Sequence, residues 1–206
     1  MKQEISPIIP TTRVAVMGEK RSGHSVICSR FLYGNDSPRT SIDEETFTKC
    51  LEVNGEDENV NLNVYFQEMG FVHQYCQNSD AFLLVFSPTS YSSFEQVQKY
   101  YECIQENKSM TQTPVALVCC TSKTTIRRKL EEIEKEEDVR EEDIETFSKL
   151  TGCPVYYIDA NSLNQVYNLF SDVVEMKRLK NPIMKEKKRS IVRRTFHFIR
   201  KTVSLS

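Results

Sequence analysis

Eight consecutive residues near the N-terminus combine two glycines with polar side chains at a spacing that suits phosphate binding. They are Gly18, Glu19, Lys20, Arg21, Ser22, Gly23, His24 and Ser25. The spacing is that of G-x-x-x-x-G-K-[ST], in which backbone N–H groups surround a phosphate, the lysine neutralises the β and γ phosphates, and the final hydroxyl binds Mg²⁺. The segment therefore predicts a phosphate-binding loop with Ser25 as a candidate metal ligand.

The lysine position of this loop is occupied by His24. An imidazole is shorter than a lysyl side chain and is mostly neutral near its reference pKa of ~6.5, so a fixed positive charge is lost. Lys20 and Arg21 are the candidates for supplying that charge from within the loop.

The elements around the loop must place it between a strand and a helix. Residues 13–17 are a β-branched run that ends at Gly18, and residues 25–32 have the pattern of a helix. The segments 47–53 and 60–66 suggest two strands joined across Asn54-Gly55, which is a hairpin signal. We therefore expect a strand, loop and helix followed by an antiparallel edge pair.

The rest of the chain alternates buried strands with helices. Strands are predicted at 81–86, 115–120 and 154–158, and helices at 92–106, 144–150 and about 163–177. This alternation predicts an α/β fold with a mostly parallel sheet, helices on both faces, and ligands at the carboxyl ends of the strands.

Composition limits the class of protein. The chain has 206 residues, 39% of them hydrophobic and 27% charged, which predicts one soluble domain plus a tail. No apolar run is long enough to span a membrane, and the N-terminus has no stretch of signal-peptide length, so we expect a cytoplasmic protein that is not secreted. The seven cysteines form no C-x-x-C pair, and Cys28, Cys119, Cys120 and Cys153 lie in apolar segments, which indicates core packing.

Several segments together resemble the Ras superfamily of small GTPases. The helix at 25–32 resembles that family's first helix, residues 79–87 its fourth strand, residues 113–118 its fifth and residues 152–160 its sixth. The resemblance is strongest to the Ras-like group that includes the estrogen-regulated growth inhibitor and its relatives. It covers residues 13–177 and implies a three-layer P-loop NTPase fold with six strands, and GTP or GDP with Mg²⁺ as ligands.

The nucleotide motifs of that family are altered in this chain. Its D-x-x-G segment falls at residues 67–70, where Gly70 is kept and the aspartate is Gln67. Phe71 stands where Ras proteins often carry the glutamine that orients the attacking water. The guanine-reading N-K-x-D motif falls at residues 120–123. Thr121 stands at its second position as a candidate nucleotide contact, and Lys123 replaces the base-binding aspartate, although lysine only donates hydrogen bonds.

Two further positions match the family in part. The S-A-K segment falls at residues 159–161, with Ala160 at its centre, and Ser41 is the candidate for the Mg²⁺-binding threonine of the first switch. With the altered positions these matches predict a pseudo-GTPase with lost or weak GTP binding and no efficient hydrolysis. The alternative is a divergent monomeric GTPase that binds and hydrolyses GTP in signal transduction.

Charge divides the chain into an acidic core and a basic tail. Residues 1–176 hold 16 Lys and Arg against 28 Asp and Glu, whereas residues 177–206 hold 11 against one. We expect an N-terminal extension (1–12), a Ras-like G domain (13–177) and a basic tail (178–206). The tail has no C-terminal prenylation cysteine, and phenylalanines are interleaved with its basic residues. Four roles fit this pattern: binding to an anionic membrane, a nuclear localisation signal, docking on the acidic core, or a tail that stays in solvent.

The partners follow from these features. We expect a monomer that binds a protein effector or regulator through its switch-like surfaces. If the tail contacts an anionic membrane, the protein lies at the inner membrane face. If the tail is a nuclear localisation signal, the protein enters the nucleus. A nucleic-acid binder would need basic residues and aromatics on the folded core, and that core is acidic.

Overall fold

The computed structural model describes residues 9–34, 47–66, 71–121 and 137–180. Its strands are β1 (Thr11–Gly18), β2 (Phe47–Val53), β3 (Glu56–Phe66), β4 (Ala81–Phe86), β5 (Val115–Cys120) and β6 (Val155–Ile158). Its helices are α1 (His24–Tyr33), α2 (Val72–Asn78), α3 (Tyr91–Asn107), α4 (Glu141–Thr151) and α5 (Leu163–Lys180).

The six strands form one mixed sheet in the order β2-β3-β1-β4-β5-β6. Strand β1 is parallel to both β3 and β4, and β4, β5 and β6 are also parallel to one another. Only the β2–β3 pair at one edge is antiparallel among these strands. The predicted α/β fold with a mostly parallel six-stranded sheet and an antiparallel edge pair is confirmed.

The hairpin turns at Asn54 and Gly55, which both have positive φ, 55° and 76°. Two such residues in a row suit a tight two-residue turn whose twist matches that of the strands. Strand β3 begins at Glu56, four residues before the predicted start at Val60. The added residues are polar, and they belong to the strand because residues 56–59 pair with residues 50–53 of β2. A pattern of apolar residues in the sequence cannot predict this backbone pairing between polar residues.

Each face of the sheet has its own layer of helices and its own core cluster. On one face α1 and α5 pack together, with the rings of Phe31 and Phe170 stacked at a centroid distance of 3.8 Å. On the other face α2, α3 and α4 cover a second cluster that includes Phe82, Phe94 and Ile144. Parallel strands buried on both faces need this double cover, which explains why β4 and β5 are entirely buried.

Helix α2 was not predicted from the sequence. It is seven residues long and buries only Val72 and Cys76, one turn apart, while Tyr75 packs partly against the same cluster. Three positions on one short face are too few for a helical period to stand out.

The last turn of α5 packs on the end of the sheet opposite the loop at residues 18–25. Arg178 is buried and contacts the buried carboxylate of Glu58, the backbone carbonyl of Val53 and the carboxylate of Glu56. Lys177 donates to Thr11 and Thr12 at the start of β1, and Lys180 donates to the carbonyls of Met110 and Thr113 before β5. These contacts extend the helix to Lys180, three residues beyond the predicted end.

None of the helices in the described ranges has the length and apolar character that crossing a membrane requires. Residues 35–46, which are most of the polar segment 34–46 that the sequence predicts to be an exposed loop, and the tail from residue 181 onward lie outside those ranges. Cys28, Cys119, Cys120 and Cys153 are buried free thiols, as core packing predicts.

Candidate phosphate-binding loop

The loop from Gly18 to Ser25 connects the end of β1 to the first turn of α1, as the motif requires. It lies at the carboxyl end of the sheet, beside the last residues of the neighbouring strands β4 and β5. Gly23 is the N-cap of α1 and its carbonyl accepts hydrogen bonds from the backbone N–H groups of Val26 and Ile27. The helix N-terminus therefore starts where an anion would be stabilised by its dipole.

Both glycines of the motif are required by close packing. A Cβ on Gly18 would lie 2.4 Å from Ser22 Oγ and 2.8 Å from the carbonyl oxygen of Val85. A Cβ on Gly23 would lie 2.3 Å from Cys120 Sγ, and Gly23 also has a φ of 97°. The loop is therefore pressed against the ends of β4 and β5, and Cys120 is a contact of the loop that its place in an apolar run did not reveal.

His24 turns into the loop instead of into solvent. Its side chain is 2% exposed, and its two ring nitrogens lie close to hydroxyls on either side: Nδ1 is 3.0 Å from Ser22 Oγ and Nε2 is 3.2 Å from Ser25 Oγ. Burial lowers the pKa of His24 to about 4, against the opposing effect of a hydrogen bond to the backbone of Glu19. The imidazole is therefore neutral at physiological pH, as the sequence predicted on other grounds.

The two serines of the loop are held by this imidazole. Ser22 is buried and lies between His24 and the backbone of Gly18. The hydroxyl of Ser25, the candidate metal ligand, is hydrogen-bonded to His24 Nε2. A metal ion at Ser25 would therefore have to share that hydroxyl with the imidazole.

The other three residues of the loop are exposed or partly exposed. Lys20 and Arg21 are both exposed, and Arg21 has a φ of 77°, a value that non-glycine residues seldom adopt. Glu19 accepts a hydrogen bond from Ser92 Oγ at the start of α3, and its carbonyl accepts one from the backbone of Ser22. The contact with Ser92 ties the loop to α3, and no sequence motif signals it.

The predicted base-binding positions lie on neighbouring strand ends. The backbone N–H of Thr121 donates to the carbonyl of Ile158 at 2.8 Å, which joins the end of β5 to the end of β6. Ala160 is fully buried, and Asp159 accepts hydrogen bonds from the backbone and side chain of Asn161. The fold therefore brings these two segments together at the same end of the sheet as the loop.

Three predicted site residues, Ser41, Gly70 and Lys123, lie outside the described residues, as does Gln67. Phe71 is described, and its side chain is 54% exposed just before α2. Elsewhere in the described ranges, no group of three or more His, Cys, Asp and Glu side chains is arranged to hold a metal ion.

A nucleotide phosphate with Mg²⁺ fits these loop residues poorly. The backbone turn and the helix N-terminus suit an anion, but a neutral, buried imidazole stands where the motif places an ammonium group. The hydroxyl that would bind the metal is already a hydrogen-bond partner of that imidazole. The polar groups inside the loop satisfy one another.

Comparison with known proteins adds a family match. The sequence profile of the Ras family matches residues 13–178. The GTP-binding protein GEM of Mus musculus is 28% identical over 113 residues, which cover 52% of this chain and 38% of GEM. The GTP-binding protein Rheb homolog of Drosophila melanogaster is 36% identical over 110 residues, covering 51% of this chain and 60% of that protein.

Human Rheb, also described as a GTP-binding protein, is 29% identical over 117 residues, covering 54% of this chain and 63% of Rheb. The matches with these relatives thus span between about two fifths and two thirds of the relatives' own length.

Proposed function

The chain belongs to the Ras family of small GTPases, and we propose that it is a pseudo-GTPase of that family: a regulatory binding protein that does not run a cycle of GTP binding and hydrolysis. The observation that carries this proposal is the buried, neutral His24, which is hydrogen-bonded to Ser22 and Ser25 inside the phosphate-binding loop.

The first reason is electrostatic. A triphosphate carries several negative charges, and the lysine of the motif neutralises part of them at the β and γ phosphates. Burial keeps the pKa of His24 at about 4, so its imidazole carries no positive charge near neutral pH. The exposed side chains of Lys20 and Arg21 are better hydrated and project from the outside of the loop.

The second reason is that the hydroxyls of Ser22 and Ser25 already have a hydrogen-bond partner in His24. If Ser25 turns its hydroxyl toward Mg²⁺, its contact with His24 Nε2 is weakened, and the imidazole loses a partner while it stays buried. An unsatisfied buried polar group costs ~1–3 kcal/mol, which binding would have to supply. The altered residues Gln67 and Lys123 of the other motifs act in the same direction.

We infer that the protein acts through a protein partner rather than through turnover. Phe71 follows residues 67–70 after the carboxyl end of β3, on the loop side of the sheet, and more than half of its side chain is exposed. An exposed phenylalanine beside the loop suits a contact with another protein, because aromatic side chains are enriched at such interfaces. The basic tail would add a contact with an anionic surface.

The second candidate is a divergent GTPase that retains nucleotide binding. It is favoured by the preserved glycine turn and helix N-terminus, and by relatives that are described as GTP-binding proteins. In this case a nucleotide would have to displace the imidazole from the loop.

Thermal melting separates the two candidates. The full chain is melted alone and with excess GTP or GDP, each with and without Mg²⁺, and human Rheb serves as the control. A ligand at ~100 times its dissociation constant adds ~2.7 kcal/mol to the free energy of unfolding. We expect no shift for this chain, whereas a Mg²⁺-dependent rise of several degrees would overturn the pseudo-GTPase proposal.

The His24→Lys variant tests the cause. If the missing charge closes the loop to phosphate, this variant should gain a shift with GDP that the wild type lacks, and a similar shift with ADP, because Lys123 does not read guanine. His24→Gln, which removes the imidazole without adding a charge, is the matched control and should gain neither. If the His24→Lys variant folds normally but its melting temperature does not rise with GDP, other residues of the site must be responsible for the loss of nucleotide binding.

A further inference from the structure

Two cysteine thiols meet between α2 and α3, on the sheet face opposite α1. Cys76 Sγ lies 3.6 Å from Cys103 Sγ, and the two residues are 27 positions apart in the chain. Cys76 is fully buried, whereas Cys103 is partly exposed. Disulfide sulfurs are ~2.05 Å apart, so a small approach of the two helices would bring this pair to bonding distance.

A histidine lies beside the more exposed thiol. His73 Nδ1 is 3.6 Å from Cys103 Sγ and 3.1 Å from Asn107 Nδ2. The same Asn107 nitrogen donates to the backbone carbonyl of Cys103 at 2.8 Å, which identifies it as the amide nitrogen. Since an amide nitrogen only donates, His73 Nδ1 carries the lone pair of the ring, and it takes the thiol proton when the contact with Asn107 is released.

The two helices are held in place around the thiols by a further contact. Lys108, just after α3, donates to the carbonyl of Gln77 near the end of α2 at 2.7 Å. Its positive charge also lies near Cys76, where it lowers the pKa of that thiol and offsets part of the effect of burial. The thiols therefore sit in a fixed arrangement with a base and a cation nearby, rather than as isolated core residues.

We propose that Cys76 and Cys103 form a reversible disulfide that links α2 to α3 in response to a hydroperoxide. Cys103 is the thiol that reacts with the peroxide, His73 accepts its proton, and Cys76 is the second thiol.

The reaction balances in two steps. The Cys103 proton passes to His73 Nδ1, and the sulfur attacks one oxygen of hydrogen peroxide. The O–O bond breaks, and the leaving hydroxide takes the proton to become water, which leaves a sulfenic acid. Cys76 then loses its proton, its sulfur attacks the Cys103 sulfur, the S–O bond breaks, and the second hydroxide leaves as water. Both sulfurs are oxidised and the peroxide is reduced to two water molecules.

The order of the two thiols follows from their surroundings. Burial, with a smaller contribution from interactions with Cys103, raises the pKa of Cys76 to about 12, so Cys76 stays a thiol while Cys103 is reduced. Conversion of Cys103 to a sulfenic acid removes the thiol whose interactions contribute to that rise. The partly exposed Cys103 is also the sulfur that a peroxide can reach.

Mass spectrometry of the full chain tests the proposal. The protein is treated with hydrogen peroxide at low concentration, blocked with an alkylating agent and digested without reductant. We expect a linked peptide pair containing Cys76 and Cys103, a loss of two hydrogen atoms from the intact mass, and full reversal by dithiothreitol. Crosslinking should also raise the melting temperature by several degrees, because the bond closes a loop in the unfolded chain.

Three variants assign the roles. Cys103→Ser, at a partly exposed position that tolerates the change, should abolish the link. Cys76→Ala should leave a Cys103 sulfenic acid that dimedone traps. His73→Asn should slow sulfenic acid formation by ~10-fold or more, as expected for loss of a proton acceptor. Cys50→Ser removes an exposed thiol on β2 and should change nothing.

Two results would overturn the proposal. One is that Cys76 and Cys103 remain reduced while exposed Cys50 is oxidised. The other is that Cys103 advances to sulfinic acid, or links to a second chain, without bonding to Cys76. If Cys76→Ala fails to fold, the Cys103→Ser variant and the linked peptide of the wild type still decide the question.

Discussion

Arg178 donates two hydrogen bonds to the same carboxylate oxygen of Glu58, from Nε at 3.1 Å and from Nη2 at 2.8 Å. The other oxygen of Glu58 accepts from Thr12 Oγ1, and the carbonyl of Val53 accepts from Arg178 Nη1. Both charged side chains are buried, and nearly all of their polar atoms have partners. The pair joins the C-terminal helix to the β2–β3 hairpin and to β1.

Removing one member of this pair should be costly. We expect Arg178→Ala to lower the free energy of unfolding by ~3–5 kcal/mol, because Glu58 would be left buried without its counter-charge. Urea unfolding of the full chain measures this change. Lys149→Ala, which breaks the exposed pair with Glu145, is the control and should cost less than ~0.5 kcal/mol. Equal losses in the two variants would contradict the role of the buried pair.

The pH dependence of stability should report on His24. Burial lowers its pKa to about 4 in the folded chain, whereas the unfolded chain binds a proton near ~6.5. Between these values the unfolded state holds more protons, so stability falls as pH falls, by ~3 kcal/mol over the whole window. We expect the His24→Gln variant to lack this component.

Urea unfolding at about pH 7 and about pH 5 makes that comparison. A wild-type slope unchanged in His24→Gln would show that the imidazole is not buried in the folded chain.

Two of the glycines with positive φ, Gly23 and Gly55, should respond differently to alanine. Gly55→Ala meets open space, so it should cost only the backbone strain of ~1 kcal/mol. Gly23→Ala has the same strain and also places its Cβ 2.3 Å from Cys120 Sγ, so it should cost at least ~2 kcal/mol more. Thermal or urea unfolding of both variants gives the difference, and similar values would argue against the close packing of the loop on β5.

The stacked rings of Phe31 and Phe170 connect α1, which follows the loop, to the C-terminal helix. Both side chains are fully buried, and Phe170→Ala should lower the free energy of unfolding by ~3–5 kcal/mol. Leu150→Ala removes a large apolar side chain that is 81% exposed on α4, and should stay within ~0.5 kcal/mol of the wild type. Circular dichroism of both variants during urea unfolding provides the test.

Much of the fold followed from patterns in the sequence that reflect burial. The continuous apolar runs at 81–86 and 115–120 are strands covered on both faces, and the helical spacing of Phe94, Val97 and Tyr101 marks the buried side of α3. Helix α2 and the first residues of β3 escaped prediction. Their positions depend on contacts with α3 and on pairing with β2, which neighbouring residues do not encode.

The sequence predicted which residues belong to the site, but not the contacts between their side chains. Spacing placed His24 and Ser25 at the loop, but not the hydrogen bonds that join the imidazole to Ser22 and Ser25, because a side-chain direction depends on the packing around it. The contact of Gly23 with Cys120 and that of Glu19 with Ser92 join residues far apart in the chain. The roles assigned to Ser41, Gly70 and Lys123 stay predictions.

The position of Arg178 and Lys180 also decides where the chain should be cut in experiments on its basic tail. A shortened protein that ends at Lys177 would lose the partner of Glu58 and the cation that caps the carbonyls of Met110 and Thr113. Any loss of membrane or partner binding in that protein would then be mixed with partial unfolding. A stop codon after Lys180 spares these contacts, so it separates the tail's own binding from the integrity of the domain.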